Sequence, residues 1–260
     1  MPLPLVSIAT PVYNTARFLP AALDSLLAQD YPHWESLMWD DGSTDGSSEI
    51  AVAYAARDPR FRLLGNGRNN GVGIALSSAL AAATGDYVGV LDGDDILEPD
   101  ALSSMVAFMR ERPQLGMAYS QYTEMDEDGR PMGLGGRFRK PYSPYALLVD
   151  FMVYHFRLAR TDAYRAVGGF DASMDVSADY DFCLRMSERY PVEHLPKSLY
   201  RYRIRHNSIS QGSRLRQVKA SFAAVQRALE RRGMTHSHAL SLGIRARHVL
   251  RPKAPRGGEA

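Results

Sequence analysis

The chain has 260 residues, of which 45% are apolar and 23% charged, with a formal net charge of +2. That length suits one large α/β domain or two small ones with a sizeable core, and the charge is too close to neutral to imply nucleic-acid binding by itself. A single cysteine, Cys183, excludes an internal disulfide framework and a cysteine-rich zinc site, and it fits a reducing compartment.

The start, Met1 to Val6, lacks the basic region and long apolar stretch of a secretory signal. No uninterrupted apolar run approaches the roughly 20 residues that cross a bilayer. The expectation is a soluble, cytoplasmic protein, or one peripheral at the inner face of a membrane. Val6 to Thr10 reads as a buried strand, and Phe18, Leu19, Ala22, Leu23, Leu26 and Leu27 then recur at helical spacing. Ser36 to Trp39 is a second strand and Glu49 to Ala56 a second helix. Phe61 to Leu64, Gly73 to Ala83 and Tyr87 to Leu91 continue the alternation as strand, helix and strand. Pro99 opens a helix that runs to about Arg112. This order predicts a mostly parallel sheet covered by helices, with right-handed crossovers that bring the loops after the strands to one edge.

The pattern changes after about residue 113. Leu115 to Tyr122 reads as a strand, Asp128-Gly129 as a turn, and Gly133 to Ser143 as a mobile loop rich in Gly, Arg and Pro. The stretch Gly133 to Tyr145 is either an acceptor-side lid or a surface insertion. Tyr154 to Ala159 and Ser198 to Arg205 read as strands and Asp179 to Arg189 as a helix. Leu215, Val218, Phe222, Val225 and Leu229 keep helical spacing among many arginines, and Arg245 to Arg256 holds five basic residues and no acid. That basic helix either lies on an anionic membrane or packs on the domain with a solvated basic face. Trp34 and Trp39 read as core residues.

Ligands of open α/β sheets bind beyond the carboxyl ends of the strands. Two acidic clusters fall at such ends: Asp40-Asp41-Gly42-Ser43-Thr44-Asp45-Gly46 after Trp39, and Asp92-Gly93-Asp94-Asp95 after Leu91. Crowded carboxylates repel unless a cation joins them, and hard divalent cations commonly bridge a carboxylate to substrate phosphates. The first cluster taken alone is equally a polar turn with a helix cap. Read as an EF-hand from Asp41, it places Val52 where the bidentate Glu belongs, which excludes that motif. The loop Gly65 to Gly71 has the wrong spacing for G-x-G-x-x-G, and no Walker A sequence is present.

Several segments then fall into a familiar order: VSIATPVYN at Val6 to Asn14, WDDGSTDGS from Trp39, RNNGVGIA from Arg68, TGDYVGVLDGDD from Thr84, VGGFD from Val167, DYDFCLR from Asp179, and Tyr202-Arg203. Together they closely resemble glycosyltransferase family 2 over roughly residues 4 to 212. The resemblance implies an α/β GT-A fold, with a Rossmann-like, mostly parallel sheet and a smaller acceptor-side mixed α/β portion. It divides residues 1–212 into a nucleotide-sugar half, about 1–112, and an acceptor and catalytic-base half, about 113–212; residues 213–260 form a C-terminal amphipathic helix and basic tail. It implies an inverting transfer from a UDP-, GDP- or dTDP-linked sugar to a glycan or lipid-linked acceptor, of the kind used in bacterial-type cell-surface polysaccharide or glycoconjugate synthesis, with Mn²⁺ or Mg²⁺ as cofactor.

At matching positions, Pro11, Tyr13 and Asn14 form part of the nucleotide pocket, and Asp41 contacts the base or ribose with Asp40 beside it. Asn70 and Gly71, in the loop Gly65 to Gly71, either help position the nucleotide or belong to an ordinary turn of the kind Gly and Asn make. Asp92, Gly93 and Asp94 match the family D-x-D, with Asp94 as the direct metal ligand and Asp95 as its rival. Asp179 matches the catalytic base; the alternative by position alone is a helix N-cap. Two departures stand out. Ala178 replaces an acidic neighbour of the base, and Leu76-Ser77 replaces an Arg-Asn pair, so Arg203 or His206 is expected to face the diphosphate, with His206 a further metal candidate. A nucleotidyl or phosphoryl transferase and a catalytically weak nucleotide-sugar-binding module remain as alternatives.

Overall fold

The computed structural model describes residues 2–65, 67–205 and 214–243. One nine-stranded sheet organises the chain. Its first half is β1 (Val6–Val12), α1 (Leu19–Leu27), β2 (Trp34–Asp40), α2 (Ser47–Arg57), β3 (Phe61–Gly65), α3 (Val72–Ala81), β4 (Tyr87–Val90), β5 (Ile96–Leu97) and α4 (Ala101–Arg110). Then come β6 (Met117–Met125), β7 (Pro131–Leu134), β8 (Arg157–Arg160), α5 (Thr161–Ala166), α6 (Ala178–Arg189), β9 (Val192–Arg203) and α7 (Arg214–Arg231).

The strand order is β3-β2-β1-β4-β8-β6-β9-β5, with β7 paired to the end of β6 off this path. β3, β2, β1 and β4 are parallel. β8 enters antiparallel between β4 and β6, and β9 runs parallel to β6. Six of the nine strands therefore point the same way, and β5, β7 and β8 oppose them. β1 is buried on both faces, because helices cover a parallel sheet on each side. Its Val6, Ile8 and Ala9 join Leu23 and Leu26 of α1 and Leu37 and Met38 of β2 in one core. The two halves share this sheet and core.

Two glycines allow the close approaches that shape the site. A Cβ on Gly93 would lie 3.0 Å from the Pro11 carbonyl and 3.1 Å from Thr15 Oγ1, so the turn after β4 presses against the end of β1. A Cβ on Gly73 would lie 2.2 Å from the Met174 carbonyl, where the segment before α6 crosses the start of α3.

The alternation expected up to residue 112 is present. The sequence pattern did not reveal β5, β7 or α5. β5 has two residues and α5 six, too few to show a period. β7 is exposed along its whole length, so it lacks an apolar face; it forms because the Asp126–Arg130 turn folds it back onto β6. The stretch expected to be a mobile loop thus begins with this strand and continues into a 3₁₀ turn at Arg137–Arg139, anchored by buried Phe138. β9 starts at Val192, six residues before the expected Ser198, and runs through Pro196. Trp34 is buried in the core and Trp39 is partly buried against it.

Basic residues of α7 point back at the domain. Arg231 forms a two-point pair with Glu188 at 2.7 and 2.9 Å, Arg227 lies 3.3 Å from Asp181, and Arg216 lies 2.6 Å from Asp175. Ser177 and Ser221 join α6 to α7 at 3.0 Å. The packed alternative for this helix is the arrangement seen. No helix among the described residues is long and apolar enough to cross a membrane.

Candidate active site

The loops after β1, β2, β3 and β4 meet at one sheet edge, as parallel strands require. Asn14, at φ 51°, accepts the Thr44 N–H through Oδ1 at 2.8 Å, and its own N–H donates to Ser43 Oγ at 3.2 Å. Asp41 is buried, and its two carboxylate oxygens each accept at 2.9 Å, from the N–H groups of Asn70 and Gly71. Asp41 therefore anchors the loop after β3, to which Asn70 and Gly71 contribute through their backbone. Asp40 is half-buried and caps the turn by accepting the Ser43 N–H at 3.0 Å. Tyr13 is exposed at the rim, and Pro11 sits in β1 opposite Trp39.

The run after β4 splits by environment. Asp95 is buried, accepting the Arg203 N–H at 2.7 Å through one oxygen and the Tyr200 hydroxyl at 2.9 Å through the other. It ties the turn to β9, and burial beside Asp94 and Asp92 pushes its carboxyl well above the usual range. Both carboxylate oxygens of Asp95 are thus engaged within the protein. Asp92 and Asp94 keep more open carboxylates. The Asp92 side chain is a third exposed, its Oδ2 lies 3.7 Å from His155 Nε2, and burial together with Asp94 raises its carboxyl to about 7. Burial also raises Asp94, against the pull of Arg205, whose Nε stands 2.7 Å from Asp94 Oδ2.

Asp179 lies in the first turn of α6, two residues past the cap position, which Ser177 fills at φ 61°. Its Oδ1 accepts the Tyr180 N–H at 2.9 Å, and its Oδ2 stands 3.2 Å from the Arg157 guanidinium. Ala178 is buried. Leu76 is likewise part of the core.

Arg203 is not placed as expected. Its guanidinium is buried, with Nε 2.7 Å from the Asp94 carbonyl and Nη1 2.9 Å from that of Glu127, so it staples β9 to two turns rather than lining the cavity. His206 lies outside the described residues. Arg205 stands at the cleft instead.

Three basic residues were missed by reading the sequence: His155, Arg157 and Arg205. Arg157 is buried with its guanidinium between Asp179 and the Val153 carbonyl, and although burial opposes its charge, the carboxylates raise its pKa. Burial and the two nearby arginines push His155 well below the usual range, so its ring is neutral. A signal existed, since an Arg inside an otherwise apolar strand must be paired if buried.

Asp179 and Arg205 both line a cavity of about 740 Å³. Tyr154, Tyr202 and Phe151 supply aromatic walls, α7 contributes Val218, Phe222 and Val225, and Arg137 reaches in from the 3₁₀ turn. Ring centroids of Tyr154 and Tyr202 are 5.6 Å apart, and those of Phe151 and Tyr180 4.8 Å.

Comparisons with known proteins bear on the family and the fold. The family model described as glycosyl transferase family 2 matches residues 7–168. A chondroitin synthase of Escherichia coli is 33% identical over 233 residues, which cover 89% of this chain and 33% of that protein. A hyaluronan synthase of Pasteurella multocida is 32% identical over 90% of this chain and 24% of its own length, so the chain spans a third or less of these relatives. Among solved structures, S. aureus TarS 1-349 in complex with UDP-GlcNAc superposes with a TM-score of 0.72 at 19% identity, covering 86% of this chain and 66% of that one. The mannosyltransferase PcManGT from Pyrobaculum calidifontis, in complex with GDP-Man and Mn²⁺, gives a TM-score of 0.66 at 21% identity, covering 87% and 65%. The fold is GT-A, and the chain belongs to glycosyl transferase family 2.

Proposed function

We propose that this protein is a metal-dependent, inverting glycosyltransferase that moves a sugar from a nucleoside diphosphate donor to a hydroxyl of a glycan or lipid-linked acceptor in surface polysaccharide or glycoconjugate synthesis. One observation carries the reading: Arg157 pairs at 3.2 Å with Asp179, which lines the acceptor cavity, and its charge also acts on Asp92 at the acidic edge of the sheet. The relatives' printed ligands, UDP-GlcNAc and GDP-Man with Mn²⁺, support a nucleotide-sugar donor.

The residues fit a divalent cation. Asp92 and Asp94 are oxygen donors, Asp92 raised by burial and by Asp94 and Asp94 raised by burial, and Asp94 borrows a guanidinium as counter-ion. Among the described residues no three carboxylate, thiol or imidazole groups converge as a metal cage. That suits Mg²⁺ or Mn²⁺ held by one or two carboxylates together with donor phosphates. The bound ion would offset charge developing on the nucleoside diphosphate.

Asp179 takes the proton from the acceptor hydroxyl as that oxygen attacks the anomeric carbon. The bond from that carbon to the diphosphate oxygen breaks on the opposite face, which inverts the centre. Arg157 and the Tyr180 N–H hold the carboxylate with its remaining lone pairs toward the cavity. Asp41 fixes the loop after β3 beside the nucleotide, with Tyr13 and Asp40 at the base end. Asp179→Asn is expected to bind donor like wild type and to lose turnover by about 10²- to 10⁴-fold. Full activity in that variant would refute the base assignment.

A further inference from the structure

Five charged side chains line the cavity that holds Asp179: Glu124, Arg137, Asp150, Asp179 and Arg205. Three of them are already matched. Asp150 pairs with Lys140, Asp179 with Arg157, and Arg205 with Asp94. Glu124 and Arg137 are left, and neither side chain has an ion pair or hydrogen bond among the described residues. A cation and an anion in one aromatic cavity, not satisfied by each other, are polar positions that a ligand can complete.

Arg137 is fixed in place although its charge is unmatched. It opens the 3₁₀ turn Arg137–Arg139, which is fastened on both sides. The Gly135 N–H donates to the Tyr122 carbonyl at 2.9 Å, and Phe138 is buried with its ring centroid 5.9 Å from that of Tyr122. The Arg137 guanidinium lies over Tyr154, 4.9 Å from the ring centroid. A guanidinium resting on an aromatic ring still presents N–H donors at its edges. Arg137 and Asp179 both act electrostatically on the Tyr154 hydroxyl, so the free cation and the proposed base serve the same part of the cavity. Glu124, opposite Tyr202 where β6 and β9 pair, is half-buried and as a carboxylate can only accept.

We propose that this cavity takes an acidic acceptor glycan, whose uronate-type sugar places its carboxylate on Arg137 and its hydroxyls on Glu124, between the aromatic walls of Tyr154, Tyr202 and Phe151. This narrows the acceptor class and rests on reading the cavity as the acceptor site. A carboxylate suits Arg137 because its two oxygens match the guanidinium fork as a two-point contact. A phosphate monoester fits the fork too, but it carries more negative charge. Glu124, Asp150 and Asp179 line the same space, so the singly charged group meets less repulsion there. A neutral sugar leaves Arg137 unmatched.

Binding of matched sugars tests it. The probes are the methyl glycosides of glucuronate and galacturonate, each set against its neutral partner, the methyl glycoside of glucose or galactose. They are titrated into the full chain and followed by saturation-transfer NMR. At least one uronate is expected to bind about tenfold more tightly than its neutral partner, as one solvent-accessible charge-assisted contact allows. That preference should shrink as salt rises. Arg137→Gln is expected to abolish it, and Arg137→Lys to keep part of it, since lysine supplies the charge without the fork. Arg57→Gln, at an exposed site on α2 outside the cavity, should change nothing. Thermal melting checks that each variant is folded. Equal binding within both pairs, no binding of either uronate, tighter binding of glucose 6-phosphate than of the uronates, or a preference that survives Arg137→Gln would overturn the proposal. Transfer to neutral acceptors with no uronate preference would sink this inference and leave the reaction standing. Uronate binding that depends on Arg137, without any transfer, would do the reverse.

Discussion

Glu35 and Asp94 are carboxylates at opposite ends of the same sheet, and their surroundings could hardly differ more. Glu35 lies near the amino end of β2, beside Ser7 of β1. It accepts Ser7 Oγ at 2.7 Å, the Thr84 N–H and hydroxyl at 2.9 and 2.7 Å, and Arg62 at 2.8 Å. Burial alone would raise its carboxyl, but these bonds outweigh it and hold the group below the usual range. At the carboxyl end, Asp92 and Asp94 have few donors, lie close together, and are raised. A buried carboxylate surrounded by donors reinforces the fold. Carboxylates crowded without enough donors are costly, and such groups cluster at sites where a ligand completes them.

Substitutions at the two ends should therefore separate function from stability. Asp94→Asn is expected to lower transfer roughly a thousandfold, because the metal contribution is worth several kcal/mol in the transition state. Its melting temperature should be no lower than wild type, since a neutral amide relieves the crowding with Asp92. Glu35→Gln should do the reverse. Denaturant unfolding is expected to show a loss of about 1–3 kcal/mol, with activity per folded molecule unchanged.

Acid unfolding sharpens the contrast. The depressed folded-state pKa of Glu35 means that its stabilisation is fully present above its ordinary value of 4.5 and is lost as pH falls through the lower folded value. Melting temperature followed downward from pH 5 should thus fall less steeply in Glu35→Gln than in wild type; an unchanged slope would show that Glu35 does not carry this linkage. The smallest effect concerns the borrowed counter-ion. Arg205 Nε is close to Asp94 but not aligned as a hydrogen bond, so the pair is an easily exchanged one. Arg205→Gln is expected to bind Mn²⁺ alone about tenfold more tightly by paramagnetic resonance, which is roughly 1.4 kcal/mol, and to bind nucleoside diphosphate more weakly.

The end of the sheet that carries the acidic clusters was legible because strand and helix periods alternate cleanly through residue 112, and parallel topology then gathers the loops. The roles within that edge were less legible. Asp92, Asp94 and Asp95 are chemically alike, and what separates them is Tyr200 and Arg203, more than a hundred residues away. Arg203 and Arg205 are two positions apart, but β9 ends at Arg203, which buries one in the β6–β7 turn and leaves the other at the cleft. Glu35 gave no local hint, since its donors arrive from β1, β3 and the turn before β4. Tertiary contacts of this kind leave no periodic trace in the chain.

The most direct test of the acidic edge as a metal and diphosphate site is a thermal-shift titration of UDP, GDP and dTDP with and without Mn²⁺, in wild type and Asp94→Asn. A ligand that binds only the folded state raises the transition by mass action. The expected result is a strong shift in wild type for one base, dependent on Mn²⁺ and absent from Asp94→Asn. An equal shift in Asp94→Asn, or one indifferent to the metal, would contradict the assignment of Asp94 and with it the metal-dependent mechanism.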